Sequence, residues 1–278
     1  MVAPVIKWAG GKRQLLPEIR ARLPHDAASG DVTYHEPFLG GGAVLFDLQP
    51  ARARVADVNV EIINLLTVIR DDLDGLLAEL RAHEAANGPE HFYAIRAWDR
   101  DPDGFAARPA AQKAARMLYL NKTCYNGLYR VNRAGQFNAP YGRYAKPNIV
   151  NEAGLCDVHG YLRRADVELA VRSFAESLAE AEAGDVVYLD PPYDVVSATA
   201  NFTGYASDGF GRAEQESLKA ACDDLDARGV RFLLSNSATP FIRELWADYR
   251  IDVVRASRAI NSNAARRGKV DEVLVRNY

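Results

Sequence analysis

Val186-Val-Tyr-Leu-Asp-Pro-Pro-Tyr193 decides how the rest of the chain is read. The apolar run from Val186 to Leu189 predicts a short buried strand. Pro191 and Pro192 lack the backbone donor that a central strand needs, so Asp190 and Tyr193 fall at the strand's carboxyl end. In open α/β sheets, ligands bind outside that end. The segment offers a carboxylate acceptor, a rigid turn with exposed carbonyls and a flat aromatic face. Those parts suit a planar ring that carries an exocyclic amino group.

Further strands are expected at Val32–Glu36, Ala53–Asp57, Val167–Val171, Val230–Ser235, Ile251–Arg255 and Glu272–Asn277. Helical patterns separate most of them, at Val60–Arg70, Phe174–Ala183, Arg212–Arg228 and Thr239–Trp246. A first amphipathic helix is expected from the spacing of Leu15, Leu16, Ile19 and Leu23. Strand-helix alternation argues for a mostly parallel α/β sheet with helices on both faces. Only a polar loop, Ser257–Lys269, joins the last two strands, so they are expected as an antiparallel hairpin. Seven strands ending in a hairpin resemble the Rossmann-like sheet of the AdoMet-dependent methyltransferases. The alternation breaks between Asp57 and Val167. That gap holds helical patterns at Leu73–His83, Glu90–Trp98 and Ala110–Leu120, then a hairpin-like segment, Val131–Tyr141, turning at Ala134-Gly135. The expected division is a sheet domain of 1–60 and 150–278 and an inserted, mainly helical subdomain of 61–149.

The chain has 278 residues and a net charge of -3, so it is not basic as a whole. Its charge is uneven. Gly104 through Asn151 contains no Asp or Glu, yet holds Arg108, Lys113, Arg116, Lys122, Arg130, Arg133, Arg143 and Lys146. Val253 to Val270 is also free of acids before Asp271, and holds Arg255, Arg258, Arg266, Arg267 and Lys269. Two one-signed windows in an acidic chain point to a local phosphate-binding surface. Cys124, Cys156 and Cys222 are scattered without metal-ligand spacing, so a reducing setting and no metal are expected. No apolar run is long enough for a membrane span, and Met1-Val-Ala-Pro-Val-Ile-Lys-Trp8 has no signal-peptide pattern. A cytoplasmic, nucleoid-associated protein, monomeric in solution, is expected.

Tyr34-His-Glu-Pro-Phe-Leu-Gly-Gly-Gly-Ala43 reads as strand, glycine turn and the helix Ala43–Leu48. Glycines there let the backbone approach a ligand closely. The next strand ends in Ala56-Asp57-Val-Asn59. An acid in that position can accept both hydroxyls of a ribose, which fits any nucleotide-type cofactor, NAD included. Lys7-Trp-Ala-Gly-Gly-Lys12 invites a phosphate-loop reading, but Arg13 stands where Ser or Thr should follow the lysine. A lid over a cofactor is the better role for it.

These residues resemble the DNA adenine methylase (Dam) family of N6-adenine methyltransferases, class alpha, nearly end to end. The likeness lies in KWAGGK from Lys7, EPFLGGGAV from Glu36, ADVN from Ala56 and LNKTCYNGLYRVN from Leu120. It continues in FNAPYGRY from Phe137, DPPY from Asp190, SATANFT from Ser197 and KVDE from Lys269. The resemblance implies S-adenosyl-L-methionine (AdoMet) as cofactor. Trp8, Lys12, Asp57 and Asp190 would bind it, with Phe38, Gly40 and Phe174 as weaker candidates. Lys12 would meet the methionine carboxylate and Asp57 the ribose.

The adenine amino nitrogen is a poor nucleophile, because its lone pair is delocalised into the ring. Asp190 and the Pro191 carbonyl would accept its two hydrogens and free the lone pair, while Tyr193 stacks on the base. A base inside a duplex cannot reach such a pocket, so it must be flipped out. Cytosine C5 methylation would need a nucleophilic cysteine, commonly in a Pro-Cys pair, and no such pair exists here. The resemblance makes the insert a target-recognition subdomain for double-stranded DNA. It places intercalation on Tyr125 and base contacts on Asn126, Leu128 and Arg130, with Lys7 near a guanine and Arg143 and Tyr144 in adjacent contacts. The implied target is GATC. The chain departs from the best-known family pattern at Lys122, Thr123, Cys124 and Tyr129. Ser197-Ala-Thr-Ala-Asn-Phe-Thr203 suits a loop closing over the flipped base. RNA as substrate, or a non-enzymatic DNA-binding regulator, are the competing readings.

Overall fold

The computed structural model describes residues 2–194, 210–257 and 269–278. Its strands are β1 (Tyr34–Glu36), β2 (Arg52–Asp57), β3 (Asp166–Val171), β4 (Val186–Leu189), β5 (Arg231–Ser237), β6 (Arg250–Ser257) and β7 (Lys269–Arg276). They form one seven-stranded sheet in the order β3-β2-β1-β4-β5-β7-β6. β1 pairs in parallel with β2 and β4, and β4 with β5. β7 runs antiparallel to both β5 and β6. The expected terminal hairpin is therefore present, with its second strand inserted beside β5. The stretch from Ser197 to Thr203 lies outside the described residues.

The helices are α1 (Leu16–Arg20), α2 (Ala43–Leu48), α3 (Val60–Asp71), α4 (Leu73–Ala85), α5 (Pro89–Arg96), α6 (Pro102–Ala106), α7 (Ala110–Thr123), α8 (Glu152–Arg164), α9 (Phe174–Ala179), α10 (Arg212–Ala227) and α11 (Pro240–Leu245). Two of the expected helices came out shorter. The first helix stops at Arg20, although Leu23 is still buried in the turn beyond it. α9 stops at Ala179, where the chain turns through Gly184 (φ +90°) into β4. The hairpin-like segment at 131–141 is present: it turns at Ala134-Gly135, with the antiparallel bridge Val131–Phe137 and backbone bonds from Asn132 N–H to the Gln136 carbonyl and from Asn138 N–H to the Arg130 carbonyl. α6 and α8 were not anticipated. The signal for α8 was present, since Leu155, Val158, Tyr161 and Leu162 are its buried face and recur at helical spacing.

The chain divides into two compact units. One comprises Lys12–Leu39, Pro50–Ala56 and Arg172–Tyr278. Its core sets Val187 and Leu189 of β4, Phe232 and Leu234 of β5, and Val273 and Val275 of β7 against Leu218, Cys222 and Leu225 of α10. Ile242 and Trp246 close that core. Burying this much aliphatic and aromatic surface fixes β4, and so fixes where Asp190 emerges. The other unit comprises Met1–Gly11, Gly40–Gln49 and Asp57–Val171. In it α7 packs against α3, α4 and α5, and α8 against α3 and α4. The cofactor-loop candidates Trp8, Gly40 and Asp57 thus share a unit with the helices that follow them.

Candidate active site

Asp190 is the first residue after β4. Its Oδ1 meets Lys12 Nζ at 2.6 Å and accepts a hydrogen bond from Ser235 Oγ at 3.0 Å. The β4–β5 register explains Ser235: Leu189 lies beside Leu234, so the next residue of each strand meets at the sheet end. Lys12 is only 6% exposed, and its Nζ also sits 4.5 Å from the centroid of the Tyr193 ring. The Tyr193 hydroxyl donates to Glu272 Oε2 at 2.7 Å. Burial pushes the Asp190 carboxyl above the usual carboxylate range, and Lys12 and Ser235 pull it part of the way back. Burial, then the charges of Asp190 and Glu272, raise the Tyr193 hydroxyl well above its ordinary value.

A polar scaffold holds the turn from behind. Gln215 Nε2 donates to the Pro192 carbonyl at 2.8 Å, and Asn236 Nδ2 donates to Gln215 Oε1 at 3.1 Å. Ser237 Oγ donates to the Asp194 carbonyl at 2.8 Å, and Thr239 Oγ1 to the Asp194 carboxylate at 2.7 Å. Pro191 is buried within this frame. In the same unit the Phe38 and Phe174 rings stack with centroids 5.6 Å apart, and Phe210 packs edge-on against both.

In the other unit, both oxygens of Asp57 are oriented by the backbone. Oδ2 accepts the Gly40 N–H and Oδ1 the Asn59 N–H, each at 2.8 Å. Burial raises this carboxyl despite those two bonds. Gly40 has φ +50°, and a Cβ there would stand 2.8 Å from Trp8 Cδ1. Only glycine lets Trp8 lie on this loop.

The predicted reading residues of that unit are gathered around one buried asparagine. Asn121 Oδ1 accepts the Lys7 backbone N–H at 2.9 Å, and Asn121 Nδ2 donates to the carbonyls of Lys7 at 2.8 Å and Gly127 at 3.1 Å. Lys7 is thereby fixed beside Tyr125–Arg130. Gly127 (φ +64°) leaves no room for a Cβ, which would stand 2.6 Å from Lys7 Cδ. Tyr125 is 59% exposed, and Asn126 next to it is exposed with φ +59°. Arg130 Nε donates to Asn138 Oδ1 at 2.7 Å, which aims the exposed guanidinium. Leu128 is half-buried, while Arg143 (φ +53°) and Tyr144 are exposed. Among the described residues, no group of His, Cys, Asp and Glu could hold a metal. No described helix is long and apolar enough to cross a membrane.

The D12 class N6 adenine-specific DNA methyltransferase family matches residues 8–260. The chain belongs to that family. It is 38% identical over 275 residues to the type II methyltransferase M1.LlaDCHI of Lactococcus lactis subsp. cremoris, covering 99% of this chain and 95% of that one. It is 37% identical over 273 residues to the DNA adenine methylase of Escherichia coli K12, covering 97% of this chain and 93% of that one. The type II methyltransferase M.MjaIII of Methanocaldococcus jannaschii is 35% identical over 295 residues, covering 100% of this chain and 99% of that one.

The molecule is therefore an adenine-specific DNA methyltransferase with a seven-stranded α/β sheet. Two of the three thiols are poor nucleophiles: burial pushes the Cys124 thiol up to about 11 and raises Cys222 well above its ordinary value. Asn121, Ser235, Glu272 and Gln215 contact the candidate residues but were not singled out from the sequence. Asn121 and Glu272 stood inside segments that carried the resemblance. Ser235 could have been found from the strand register, whereas Gln215 has no local sequence signal.

Proposed function

We propose that this enzyme transfers the methyl group of AdoMet to N6 of an adenine flipped out of duplex DNA, within GATC. The observation that carries the reading is Asp190, fixed at the end of β4 by Lys12 and Ser235, with the Tyr193 ring beside it. The cofactor residues fit. Asp57 is a backbone-oriented acid placed for a ribose diol, and Gly40 makes a cradle under Trp8 that a Cβ would fill. Trp8, Lys12, Phe38, Gly40, Asp57, Phe174 and Asp190 would hold AdoMet, which supplies an electrophilic methyl group when bound. Lys12 would then serve the methionine carboxylate as well as Asp190.

Asp190 and the Pro191 carbonyl accept the two hydrogens of the target amino group. That turns its lone pair out of ring conjugation and stabilises the positive charge that grows on nitrogen. Tyr193 stacks on the base, with its hydroxyl anchored by Glu272. Tyr125 fills the space left in the duplex, and Lys7, Asn126, Leu128, Arg130, Arg143 and Tyr144 read and position the site. On this reading residues 61–149 are the target-recognition domain, and 1–60 with 150–278 carry the chemistry.

The test is plasmid DNA from cells expressing the chain, digested with nucleases that tolerate or reject N6-methyladenine in GATC. Protection confined to the nuclease blocked by methylation is expected. Complete digestion by that nuclease, with protection at another adenine-containing sequence, overturns GATC. Labelled AdoMet with duplex and RNA substrates separates the competing RNA reading.

A further inference from the structure

We infer that Asn121 is a specificity-positioning residue: its buried amide aims Lys7, so that the lysine reads a base edge instead of neutralising a phosphate. The inference rests on the function proposed above, in which Lys7 lies near a guanine of the target. A lysine by itself is a poor reader. Its ammonium is a compact charge on a flexible four-carbon stem, and such a charge attracts any phosphate. Lys7 is exposed, and among the described residues no hydrogen bond or ion pair holds its ammonium. Its direction must come from its backbone and its stem, and Asn121 controls both.

Asn121 is buried in the last turn of α7. That helix packs against α3, α4 and α5, so the amide stands on a rigid support. Oδ1 accepts the Lys7 N–H at 2.9 Å and Nδ2 donates to the Lys7 carbonyl at 2.8 Å. One side chain thus grips both polar groups of the Lys7 backbone. Nδ2 also donates to the Gly127 carbonyl at 3.1 Å. Gly127 is the surface on which the lysine stem lies: a Cβ there would stand 2.6 Å from Lys7 Cδ and 3.4 Å from Lys7 Cβ. The amide therefore fixes the residue that carries the stem and the backbone wall along which the stem runs. All of these residues belong to one compact unit. A shorter polar side chain cannot make the three bonds, and a carboxylate would face two carbonyls with no hydrogen to give them. Without Asn121 the Lys7 charge stays in place for DNA but loses its direction.

The test compares the wild type with Asn121→Ser, Lys7→Met, Gly127→Ala and the double variant N121S/K7M, all as full chains. Binding isotherms are taken at several salt concentrations on a GATC duplex and on duplexes in which each G·C pair of the site is in turn replaced by A·T. The wild type is expected to prefer GATC over at least one of these by about tenfold or more. K7M should lose most of that preference, together with about one unit of the slope of log K against log salt. N121S should fall to within about threefold of the K7M preference yet keep the wild-type slope, and the double variant should prefer GATC no less than K7M does. G127A crowds the stem and leaves the amide in place, so it should show the same loss of preference at an unchanged slope. Each preference is a ratio measured on one protein sample, so an unfolded fraction cancels from it, and G127A carries the test if N121S does not fold. An N121S or G127A that keeps the wild-type preference overturns the inference, as does an N121S whose salt slope falls with that of K7M. A double variant that loses further preference overturns it too, because Asn121 then acts through residues other than Lys7. A K7M with full preference overturns it by removing Lys7 from the readers. A wild type that binds every duplex alike overturns the GATC reading itself, which distinguishes the two failures.

Discussion

At Asp190 two opposing effects meet in one carboxyl group. Burial raises it, and the Lys12 ammonium 2.6 Å away lowers it. Only the ionised form accepts both an amino hydrogen and the charge growing on nitrogen, so activity should fall as pH drops through the folded-state value of this group. Lys12→Met removes the cation that pulls that value down. The acid limb of the kcat profile, measured at saturating cofactor and DNA, should then move to higher pH. An unmoved limb would mean that another group sets it. Asp190→Asn keeps the shape and removes the charge. Its kcat should fall by about 10²–10³, the scale for losing one group that stabilises developing charge, while duplex binding survives. A kcat within tenfold of wild type would remove Asp190 from the chemistry.

At the scale of elements, α7 shows how a charged residue can be structural. Arg116 is fully buried in that helix, and its guanidinium donates to the carbonyls of Ile95 and Arg96, both at 3.1 Å. It also faces the Phe105 ring, besides Asp99 and Glu61. Arg116→Ala leaves the Glu61 carboxylate without the guanidinium it faces, while Asp99 keeps Arg100. Removing one partner of a buried pair costs about 3–5 kcal/mol, so chemical denaturation should show a loss of that size. A loss below about 1 kcal/mol would show that solvent reaches the cluster. Arg116 also marks where the sequence stopped being legible. It was counted among the cations of an acid-free window, because partners at Glu61 and Asp99 are invisible to a local charge count. The strands were readable, since apolar runs and breakers such as Pro191 act locally. So was the placement of Asp57 at the end of β2. Asn121 was readable only as a member of a motif, because it acts through contacts with Lys7, far away in the chain. The hairpin-like segment at 131–141 was legible too: backbone bonds from Asn132 to Gln136 and from Asn138 to Arg130 cross its turn, reinforced by the side-chain pairs Arg130–Asn138 and Asn132–Gln136.

On the whole molecule, a net charge of -3 and a DNA substrate are reconciled by where the cations stand. Several in the acid-free window are spent internally: Arg116 is buried, Arg108 lies 3.6 Å from the Trp98 ring centroid, and Lys113 Nζ donates to the Ala106 carbonyl at 3.3 Å. Arg130, Arg133, Arg143 and Lys146 are the exposed ones, in the same stretch as the exposed Tyr125 and Tyr144. This gathers exposed positive charge on the segment proposed to read DNA. Two neighbouring arginines should then differ in kind. Among the described residues Arg133 has no orienting bond comparable to the Arg130–Asn138 pair, so it is assigned to phosphate. Arg133→Gln should weaken every duplex alike and lower the slope of log K against log salt by about one unit. Arg130, aimed by Asn138, is assigned to a base edge. Arg130→Gln should narrow the gap between GATC and a one-base variant by about 1–3 kcal/mol. Both are read from binding isotherms on the two duplexes at several salt concentrations. If Arg133→Gln narrowed the gap while Arg130→Gln only flattened the salt slope, the roles would be exchanged, and Asn138 would orient a phosphate contact.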